Sequence, residues 1–337
     1  MASVDDHRLT DLVHRALSVR IEGAPHPVTP TITAVADVNR GRGVFSSVVR
    51  ADLAWPNGIE GRPRSVVIKI PAAGPNGDAG RGSGAYRREA EAYRSILPNS
   101  PIRAPHCHLV DDDPHTGDAS FVLEDLTPYR AVDQMAGLPA PAALAVTSAL
   151  RAFHDHWTQR ATPAGLRANT PATLAPEALD KGIAALATVW AGDLDPVVRR
   201  SFERLVDRRQ QAVAAFTAAG PPTLCHGDPR ADNVVFADQW HPIVFDWQQI
   251  AIQAGAADIA WLAATSTTVE VRRTVDHDLI AAYGTTPDAY RAGLVLPGLA
   301  VLLLAQRHAD SERTRTFIAT SLHRIGHALS DWDVGSI

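Results

Sequence analysis

Cysteine is scarce in this sequence. The 337 residues contain two, Cys107 and Cys225, which are too few for a disulfide framework or a cysteine-rich zinc cluster. This excludes the small secreted domains that depend on several cross-links. Because low cysteine use is typical of a reducing compartment, we expect the protein to be cytoplasmic.

Long apolar runs are missing as well. The longest, from Leu294 to Leu304, is shorter than the ~18–20 residues that a membrane span requires. The N-terminus, from Met1 to Thr10, carries several charged residues and lacks the apolar core of a signal peptide. We therefore expect no interaction with a membrane.

The chain also lacks an excess of positive charge. Its formal net charge is −5 and its pI is about 6.3, so we expect no nucleic-acid partner. Hydrophobic residues make up 45% and charged residues 20% of the chain, as in ordinary globular proteins. A chain of this length can bury a substantial core, and we expect two lobes or domains.

The strongest signal is a polar loop followed by a short apolar run. The loop reads HGDPRADN from His226 to Asn233, and the run IVFD ends at Asp246. Asp228 precedes Asn233 by five residues, as in the protein-kinase catalytic loop H-R-D-x-x-x-x-N, whose metal-binding Asp follows on a nearby strand. One carboxylate must face the attacking hydroxyl, while an amide and a second carboxylate face the metal ions. The two spacings together indicate phosphoryl transfer.

A lysine interrupts the third of three strands predicted near the N-terminus, which are Thr31–Val38, Val44–Leu53 and Ser65–Ile70. Lys69 must reach water or pair with an anion, because a buried unpaired ammonium is costly. Its strand is similar to the V-A-I-K strand that presents a phosphate-binding lysine in kinases. An edge strand with its lysine in solvent is the alternative.

A helix predicted from Tyr86 to Leu97 supplies a carboxylate for this lysine. Glu89 lies on the inward stripe of the helix, whereas Glu91 points elsewhere. We expect an ion pair between Lys69 and Glu89 that holds the lysine at the phosphates. A solvated charged helix is the other interpretation, which we would prefer if the lysine were absent.

The N-terminal part of the chain has two glycine-containing stretches. One lies between the first two predicted strands, and the other follows the third. In the first, Asn39 to Ser47, backbone N–H groups could approach phosphate oxygens, although a plain hairpin turn is the favoured interpretation of that stretch alone. The second, Gly74 to Gly84, lacks the G-x-x-x-x-G-K-[ST] of a P-loop and is long for a dinucleotide-binding turn. We interpret it as a mobile connection.

The strand Phe121–Leu123 ends at Glu124, where we place the boundary between a lobe of residues 1–124 and a lobe of residues 125–337. Beyond it the pattern becomes helical, apart from a short hairpin of Val234–Phe236 and Pro242–Phe245. Predicted helices lie at about Ala142–Trp157, Pro176–Trp190, Pro196–Ala219, Ala256–Ala264, Val269–Tyr283, Pro287–His308 and Arg313–Leu329.

Metal-based hydrolysis is a competing chemistry. His226, Asp228 and Asp246 could begin a metallohydrolase site, but such sites need more His or carboxylate ligands, and Asn233 would have no role in one. A pairing of His154 with His156 is also disfavoured, because side chains two positions apart on a helix point in different directions.

Taken together, the motifs closely resemble the aminoglycoside phosphotransferase and choline-kinase-like family, in particular its HGDxRxDNxxF…DWQ branch, which includes ecdysteroid-kinase-like proteins. The resemblance covers about residues 35 to 330. Its core motifs are specific, whereas the Gly-rich loop and the helix motif E-x-x-F-Y, in which Ala92 replaces the aromatic residue, match more loosely. The matching residues are His226-Gly227-Asp228, Asn233, Asp246-Trp247-Gln248, Gly255, Asp258-Ile259-Ala260, Glu89 to Tyr93 and Leu123-Glu124-Asp125-Leu126.

The resemblance implies an α+β, bilobal protein-kinase-like fold, with an antiparallel sheet and a helix in the N-lobe and a larger, mainly helical C-lobe. It also implies transfer of the γ-phosphoryl group of ATP, with Mg²⁺, to a hydroxyl group of a small molecule. The implied roles are Asp228 as catalytic base, Asn233 and Asp246 as Mg²⁺ ligands, Lys69 with Glu89 at the α/β-phosphates, Gly41, Gly43 and Ser46 in the Gly-rich loop, the backbone of Glu124 and Leu126 at adenine, His226 as a brace of the loop, and Asp258 as a structural residue.

One charged residue of the loop has two possible roles. Arg230 stands two residues after Asp228, where many serine/threonine kinases carry a lysine. It either neutralises charge on the transferring phosphoryl group, as a catalytic residue, or pairs structurally with Asp232 or Asp228. Because every motif position that the chemistry needs is present, we favour an enzyme over a nucleotide-binding pseudokinase. The acceptor and the oligomeric state are not readable from the sequence.

Overall fold

The structure, a computed structural model, describes residues 6–20, 26–38, 45–56, 59–163, 165–166, 168, 174–307 and 311–337. The chain divides into two compact units. Unit 1 comprises Met1–Asn99, Arg103–Tyr129 and Phe245–Gln249, and unit 2 comprises Ser100–Ile102, Arg130–Val244 and Ile250–Ile337. A five-residue segment that is distant in sequence therefore belongs to unit 1.

Unit 1 contains an antiparallel sheet of five strands in the order β1-β2-β3-β5-β4. The strands predicted first in the sequence are present, with ends that differ by one or two residues. Its elements are α1 (Asp6–Leu17), β1 (Thr31–Asp37), β2 (Ser46–Ala54), β3 (Ser65–Pro71), α2 (Pro75–Ser83), α3 (Ala85–Glu91), β4 (Cys107–Asp113) and β5 (Asp118–Glu124). Helix α3 continues as a short π-helix (Ala92–Ile96).

The core of unit 1 forms where α1 packs on the sheet. Leu9, Leu12 and Val13 of the helix belong to the same buried hydrophobic cluster as Val66 and Ile68 of β3. The alternation of β3 places its aliphatic residues on this face, so the intervening Lys69 lies on the opposite face. Each fully buried aliphatic side chain contributes about 1.5–3 kcal/mol to folding, and this packing holds β3 in place.

The stretch from Gly74 to Gly84, which we predicted to be a mobile connection, is a helix. Pro75 begins α2 directly after Gly74, and Gly84 ends the helix with a φ of 73°, a conformation that favours glycine. Gly80 is buried, and a Cβ atom there would lie 2.6 Å from the ring of Tyr86. The prediction was wrong because the glycines serve close packing and helix capping rather than flexibility.

Strand β4 has no counterpart among the predicted elements. It is the edge strand of the sheet, and most of its side chains are partly exposed. Three aspartates, Asp111 to Asp113, occupy its second half. Aspartate is depleted in strands but is tolerated at exposed edges, where charge also hinders pairing with other chains. The local composition therefore concealed the strand.

Unit 2 is mainly helical and holds two small sheets, in the orders β6-β8-β9 and β10-β7. The predicted hairpin is present, and two predicted helices are each divided, at Arg208 and at Leu294. The elements are β6 (Arg130–Ala131), α4 (Ala140–Thr158), α5 (Pro176–Thr188), α6 (Pro196–Asp207), α7 (Arg209–Thr217), β7 (Pro222–Cys225), β8 (Val234–Phe236), β9 (Pro242–Val244), β10 (Ala251–Ala254), α8 (Ala256–Ser266), α9 (Val269–Tyr283), α10 (Pro287–Gly293), α11 (Val295–Ala305) and α12 (Glu312–Asp331).

One segment of unit 2 is apolar enough to resemble a membrane span. Pro287–Ala305 is 19 residues long, and 72% of its most apolar window is buried inside the protein. Its side chains pack within unit 2, among them Leu299 and Leu302, which are fully buried. This is the environment of a core helix.

The packing of α2 can be tested with a pair of glycine substitutions. We expect Gly80→Ala to lower the free energy of unfolding by about 1–3 kcal/mol, because its methyl group would overlap the Tyr86 ring. Gly82→Ala is the matched control, since no atom lies within 4 Å of a Cβ at that position. It should be neutral or stabilise by up to about 1 kcal/mol. Urea unfolding measures both, and equal effects would refute the packing role of Gly80.

Candidate active site

The loop that contains Asp228 is fixed by a buried carboxylate of unit 2. Asp258, in the first turn of α8, is fully buried. Its Oδ2 accepts the backbone N–H of His226 at 2.7 Å, and its Oδ1 accepts that of Gly227 at 3.0 Å. Gly227 has a φ of 84°, which lets the chain turn directly before Asp228. The position of Asp228 therefore depends on Asp258.

The carboxylate of Asp228 receives hydrogen bonds from two neighbouring side chains. Trp261 Nε1 donates to Oδ1 at 2.9 Å, and Asn233 Nδ2 donates to Oδ2 at 3.2 Å. Asn233 Nδ2 also donates to the backbone carbonyl of Asp228 at 2.9 Å, which closes the five-residue interval into a ring. The structure thus brings together the predicted Asp and Asn. The side chain of Asp228 is 17% exposed, so one side of it remains accessible.

Trp261 was not among the residues identified from the sequence. It lies three residues after Asp258, nearly one turn further along α8, so the two side chains project from neighbouring parts of the same helix face. This spacing was the available signal. It was overlooked because an isolated tryptophan in an apolar helix is more often a core residue.

Arg230 lies next to the carboxylate. Its Nε is 3.4 Å from Asp228 Oδ2, and its guanidinium carbon is 5.7 Å from the centre of the Phe317 ring. The side chain is 24% exposed. In this conformation Arg230 pairs with Asp228, as the structural alternative expects, and its positive charge lies beside that carboxylate.

In unit 1, a buried lysine is shared by two carboxylates. Lys69 Nζ lies 2.8 Å from Glu89 Oε1 and 2.7 Å from Asp246 Oδ1. Lys69 is 8% exposed and Glu89 is fully buried. The predicted ion pair between Lys69 and Glu89 is therefore confirmed, and the alternatives of a solvated lysine or a solvated helix do not hold.

Three elements bring these charges together. Lys69 extends from β3, Glu89 from α3, and Asp246 from the short segment Phe245–Gln249, which packs on α3. Arg88 of α3 donates to the backbone carbonyl of Gln248 at 2.9 Å and so holds that segment. Asp246 itself has a φ of 65°.

Burial and charge act in opposite directions on the lysine. Burial alone would lower the pKa of Lys69, but Asp246 and Glu89 outweigh it and raise that pKa above its ordinary value. Burial raises the pKa of Glu89, and Lys69 partly opposes this shift. Lys69 is therefore protonated at neutral pH, and its charge keeps the buried Glu89 carboxylate ionisable.

Of the remaining predicted nucleotide residues of unit 1, the structure describes Ser46, Glu124 and Leu126. Ser46 begins β2 and is 5% exposed, while Gly41 and Gly43 lie outside the described residues. The backbone N–H of Glu124 donates to His106 O at 2.8 Å, and Leu126 O accepts from Tyr129 N at 3.0 Å. These backbone groups are engaged within the protein.

The segment after β5 is also fixed through side chains. Asp125 Oδ2 accepts from Arg50 Nε and Ser65 Oγ, both at 2.6 Å. Glu124 forms two contacts with Arg103 Nη2, at 2.6 and 2.7 Å. Burial opposes this charge, but Arg103 lowers the pKa of Glu124. Residues 123–126, where we placed the lobe boundary, therefore belong to unit 1 and are held by these contacts.

A comparison with family models decides the family of this chain. Residues 60–293 match the model described as the phosphotransferase enzyme family, APH. The chain belongs to this family. The resemblance to aminoglycoside phosphotransferases inferred from the motifs is confirmed, and the coarse chemistry of the family is phosphoryl transfer.

Solved structures of this phosphotransferase fold cover almost the whole chain. The GDP and kanamycin complex of APH(2")-IIIa matches 91% of this chain and 95% of its own, with 15% identity and a TM-score of 0.55. Amicoumacin kinase hAmiN, in complex with AMP-PNP, Ca²⁺ and Ami, matches 97% and 94%, with 13% identity and a TM-score of 0.55. A choline/ethanolamine kinase family protein from Mesorhizobium loti matches 98% and 97%, with 16% identity and a TM-score of 0.52.

At such low sequence identities, these structural matches show the fold alone. They confirm the predicted fold class, an α+β, bilobal protein-kinase-like fold. No curated protein sequence matches the chain.

Metallohydrolase chemistry gains no support in this phosphotransferase-family protein. Within the described residues, neither of the groups of His, Cys, Asp and Glu side chains close enough to bind a metal ion includes His226, Asp228 or Asp246. His226 is fully buried, and its Nδ1 accepts the N–H of Asp228 at 3.2 Å. It supports the loop. His154 is buried beside Tyr283 and Asp258, as expected for a packed helix end.

The residues predicted to bind Mg²⁺ have suitable chemistry. Magnesium prefers oxygen ligands, which Asp246 and Asn233 supply. Because Asn233 Nδ2 faces Asp228, its Oδ1 is the other branch of the amide and points away from those bonds. Each residue by itself therefore offers an oxygen donor of the kind that the ion implied by the fold family prefers.

The shared lysine predicts a pH-dependent stability difference. In Lys69→Met, Glu89 loses its counter-charge, so its pKa in the folded state should rise above the value of about 7 that it has beside Lys69. A carboxyl group whose pKa is raised by folding favours the folded state when protonated and loses that advantage as pH rises. The variant should therefore be less stable than wild type by about 3–5 kcal/mol at pH 8, with a smaller deficit at pH 5.

Urea unfolding across this pH range measures the deficit. The control is Lys69→Met combined with Glu89→Gln, which removes the titrating group, so its own free energy of unfolding should change less between pH 5 and pH 8 than that of Lys69→Met. A deficit of Lys69→Met that is constant from pH 5 to pH 8 would contradict the charge assignment.

Proposed function

We propose that this protein is an ATP- and Mg²⁺-dependent phosphotransferase that moves the γ-phosphoryl group of ATP to a hydroxyl group of a small molecule, with Asp228 as the catalytic base. The observation that carries the proposal is the closed ring of Asp228 and Asn233, in a loop fixed by Asp258. This geometry orients one carboxylate and one amide together, which the chemistry requires.

Asp228 takes up the proton that the reaction releases. Its carboxylate accepts the proton of the substrate hydroxyl, whose oxygen forms a bond to the γ-phosphorus while the bond from that phosphorus to the bridging oxygen breaks. The electron pair leaves with ADP, so the step is balanced. The hydrogen bonds from Trp261 and Asn233 fix the direction in which the carboxylate points. Positioning and charge neutralisation, rather than covalent catalysis, provide most of the rate in such reactions.

Lys69 contributes positive charge for the phosphates. It is preorganised because Glu89 and Asp246 already fix Nζ on the face of β3 opposite α1. An ammonium group with a raised pKa stays charged throughout the physiological range. We assign it to the α/β-phosphates of the nucleotide, with Ser46, Gly41 and Gly43 covering the phosphates and the backbone of Glu124 and Leu126 at adenine.

Mg²⁺, bound by Asn233 and Asp246, would neutralise charge on the phosphates. Of the two, Asp246 also contacts Lys69, so its carboxylate is held in one orientation. We place the enzyme in the cytoplasm, where ATP and Mg²⁺ are abundant and where its free cysteines, Cys107 and Cys225, remain reduced.

The acceptor is a small hydroxylated molecule. Two of the structural neighbours were determined in complex with kanamycin and with Ami, and a third belongs to the choline/ethanolamine kinase family. A panel of aminoglycosides, amino alcohols, sugars and sterols, screened for ADP release with ATP and Mg²⁺, would identify the class.

The base assignment is tested by Asp228→Asn. This change keeps the size and shape of the side chain but removes its basicity and replaces one of its two acceptor oxygens by an NH2 group. The turnover number should therefore fall by about 10²–10⁴-fold. ATP affinity and melting temperature should change little. ADP release and isothermal titration with ATP separate the two effects. If Asp228→Asn had the same turnover number as wild type, Asp228 could not be the base. If wild type bound ATP but showed no turnover with any acceptor, a pseudokinase would be favoured.

Trp261 and Arg230 provide a graded test of the same site. Trp261→Phe removes one hydrogen bond to Asp228 and should lower the turnover number by about tenfold, with little change in the KM for ATP. Arg230→Ala should lower it further if the guanidinium neutralises the transferring group. Arg230→Lys would then restore part of the loss. An Arg230→Ala variant that retains its turnover number but loses thermal stability would assign Arg230 the structural role.

A further inference from the structure

Two histidines and an aspartate of unit 2 meet on its surface. His323 and His327 lie four residues apart on α12, so their rings share one face of the helix. The ring centres are 4.5 Å apart. Asp195 precedes α6, and its Oδ2 lies 3.1 Å from His327 Nε2. One ligand atom from each residue lies within 4.8 Å of the others.

The close approach of α12 and α6 explains this meeting. Gly326 lies between the two histidines, and a Cβ atom there would lie 2.5 Å from a methyl group of Val198 in the first turn of α6. The absence of a side chain therefore lets α12 approach the start of α6. An ion pair between Arg315 and Asp193 joins α12 to the segment that precedes α6.

Asp195 has one oxygen for each of two tasks. Its Oδ1 accepts the backbone N–H of Val198 at 2.9 Å and caps α6. Its Oδ2 faces His327. The cap therefore fixes the carboxylate in an orientation that directs the second oxygen at the histidine pair, and a bound cation would not compete with the cap.

The donor atoms match those of transition metals. Zinc binds imidazole nitrogen at about 2.0–2.1 Å and carboxylate oxygen at about 2.0–2.2 Å, which places neighbouring ligand atoms of a tetrahedral site about 3.3 Å apart. The 3.1 Å separation of His327 Nε2 and Asp195 Oδ2 is close to that value. His323 is exposed, and one of its ring nitrogens lies within 4.8 Å of the ligand atoms of the other two residues.

We propose that Asp195, His323 and His327 bind a divalent transition metal of the zinc type, with water in the fourth position, and that the metal joins the start of α6 to α12. Two nitrogen ligands disfavour Mg²⁺ and Ca²⁺, which prefer oxygen. The site is independent of the proposed phosphoryl transfer.

The experiment uses the full chain, treated with a chelator and then titrated with Zn²⁺. In isothermal titration, His323→Ala and His327→Ala should each weaken binding to this site by at least about tenfold. In wild type, Zn²⁺ should raise the melting temperature, because it binds the folded state, and the rise should be lost in both variants. An excess of Mg²⁺ should not displace the Zn²⁺.

Asp195→Asn separates ligation from capping. Asparagine caps helices as well as aspartate does, so the metal-free melting temperature should not change. Zn²⁺ affinity should nevertheless fall by about tenfold or more, because the charged oxygen ligand is removed. This variant keeps the proposal testable even if a histidine variant folds poorly.

His241→Ala is the matched control. His241 also pairs with an aspartate, Asp238, but both side chains are 75% exposed, and His241 is in neither of the candidate metal-binding groups among the described residues. Its removal should leave Zn²⁺ affinity unchanged. The proposal is overturned if the Asp195, His323 and His327 variants bind Zn²⁺ as tightly as wild type, or if His241→Ala loses as much affinity as they do.

Discussion

The buried carboxylate of Asp258 is the constraint on which unit 2 depends most. Both oxygens accept backbone N–H groups of the loop, from His226 and Gly227, and its Oδ2 also lies 3.2 Å from His154 Nε2. His154 in turn contacts Tyr283 of α9 at 2.9 Å. One charge therefore connects α8, α4 and α9 to the loop that contains Asp228. A buried charge is tolerated only when it is well supplied with hydrogen bonds, and here those bonds define the geometry around Asp228.

Unit 1 also contains a buried charge, but here the charge is positive. Lys69 is an ammonium on a buried strand face, and it is stable there because two carboxylates surround it. Together the three side chains carry a net charge of about −1 when Glu89 is ionised, counting one ammonium against two carboxylates. The hydrophobic face of β3 contributes the stability, and the polar face holds these charges. Alternate residues of β3 thus have different roles: those on one face pack in the hydrophobic core, and Lys69 on the other face pairs with the carboxylates.

The sequence predicted those parts of the site that follow from local periodicity and spacing. The alternation around Lys69, the stripe that contains Glu89 and the interval from Asp228 to Asn233 all correspond to contacts in the structure. Amino-acid composition did not indicate the correct secondary structure in two places. The glycines of α2 read as a flexible segment although they permit close packing against Tyr86, and the aspartates of β4 concealed an edge strand.

Other features depend on contacts between residues far apart in the chain, which no local pattern encodes. The hydrogen bond from Trp261 to Asp228 spans 33 residues. The approach of Asp195 to His327 depends on the packing of α6 against α12 around a glycine that has no distinctive sequence context. Such contacts follow from tertiary packing, and they required the structure.

The backbone of Asp246 has a consequence for how this position can vary. Its φ of 65° lies in the left-handed region, which costs a residue with a side chain roughly 1 kcal/mol relative to glycine. Backbone energy alone would therefore favour glycine here. The aspartate is justified by its charge, which contacts Lys69. Backbone conformation and side-chain charge therefore favour different residues at this position, and the hydrogen bond from Arg88 to the carbonyl of Gln248 helps to hold the segment.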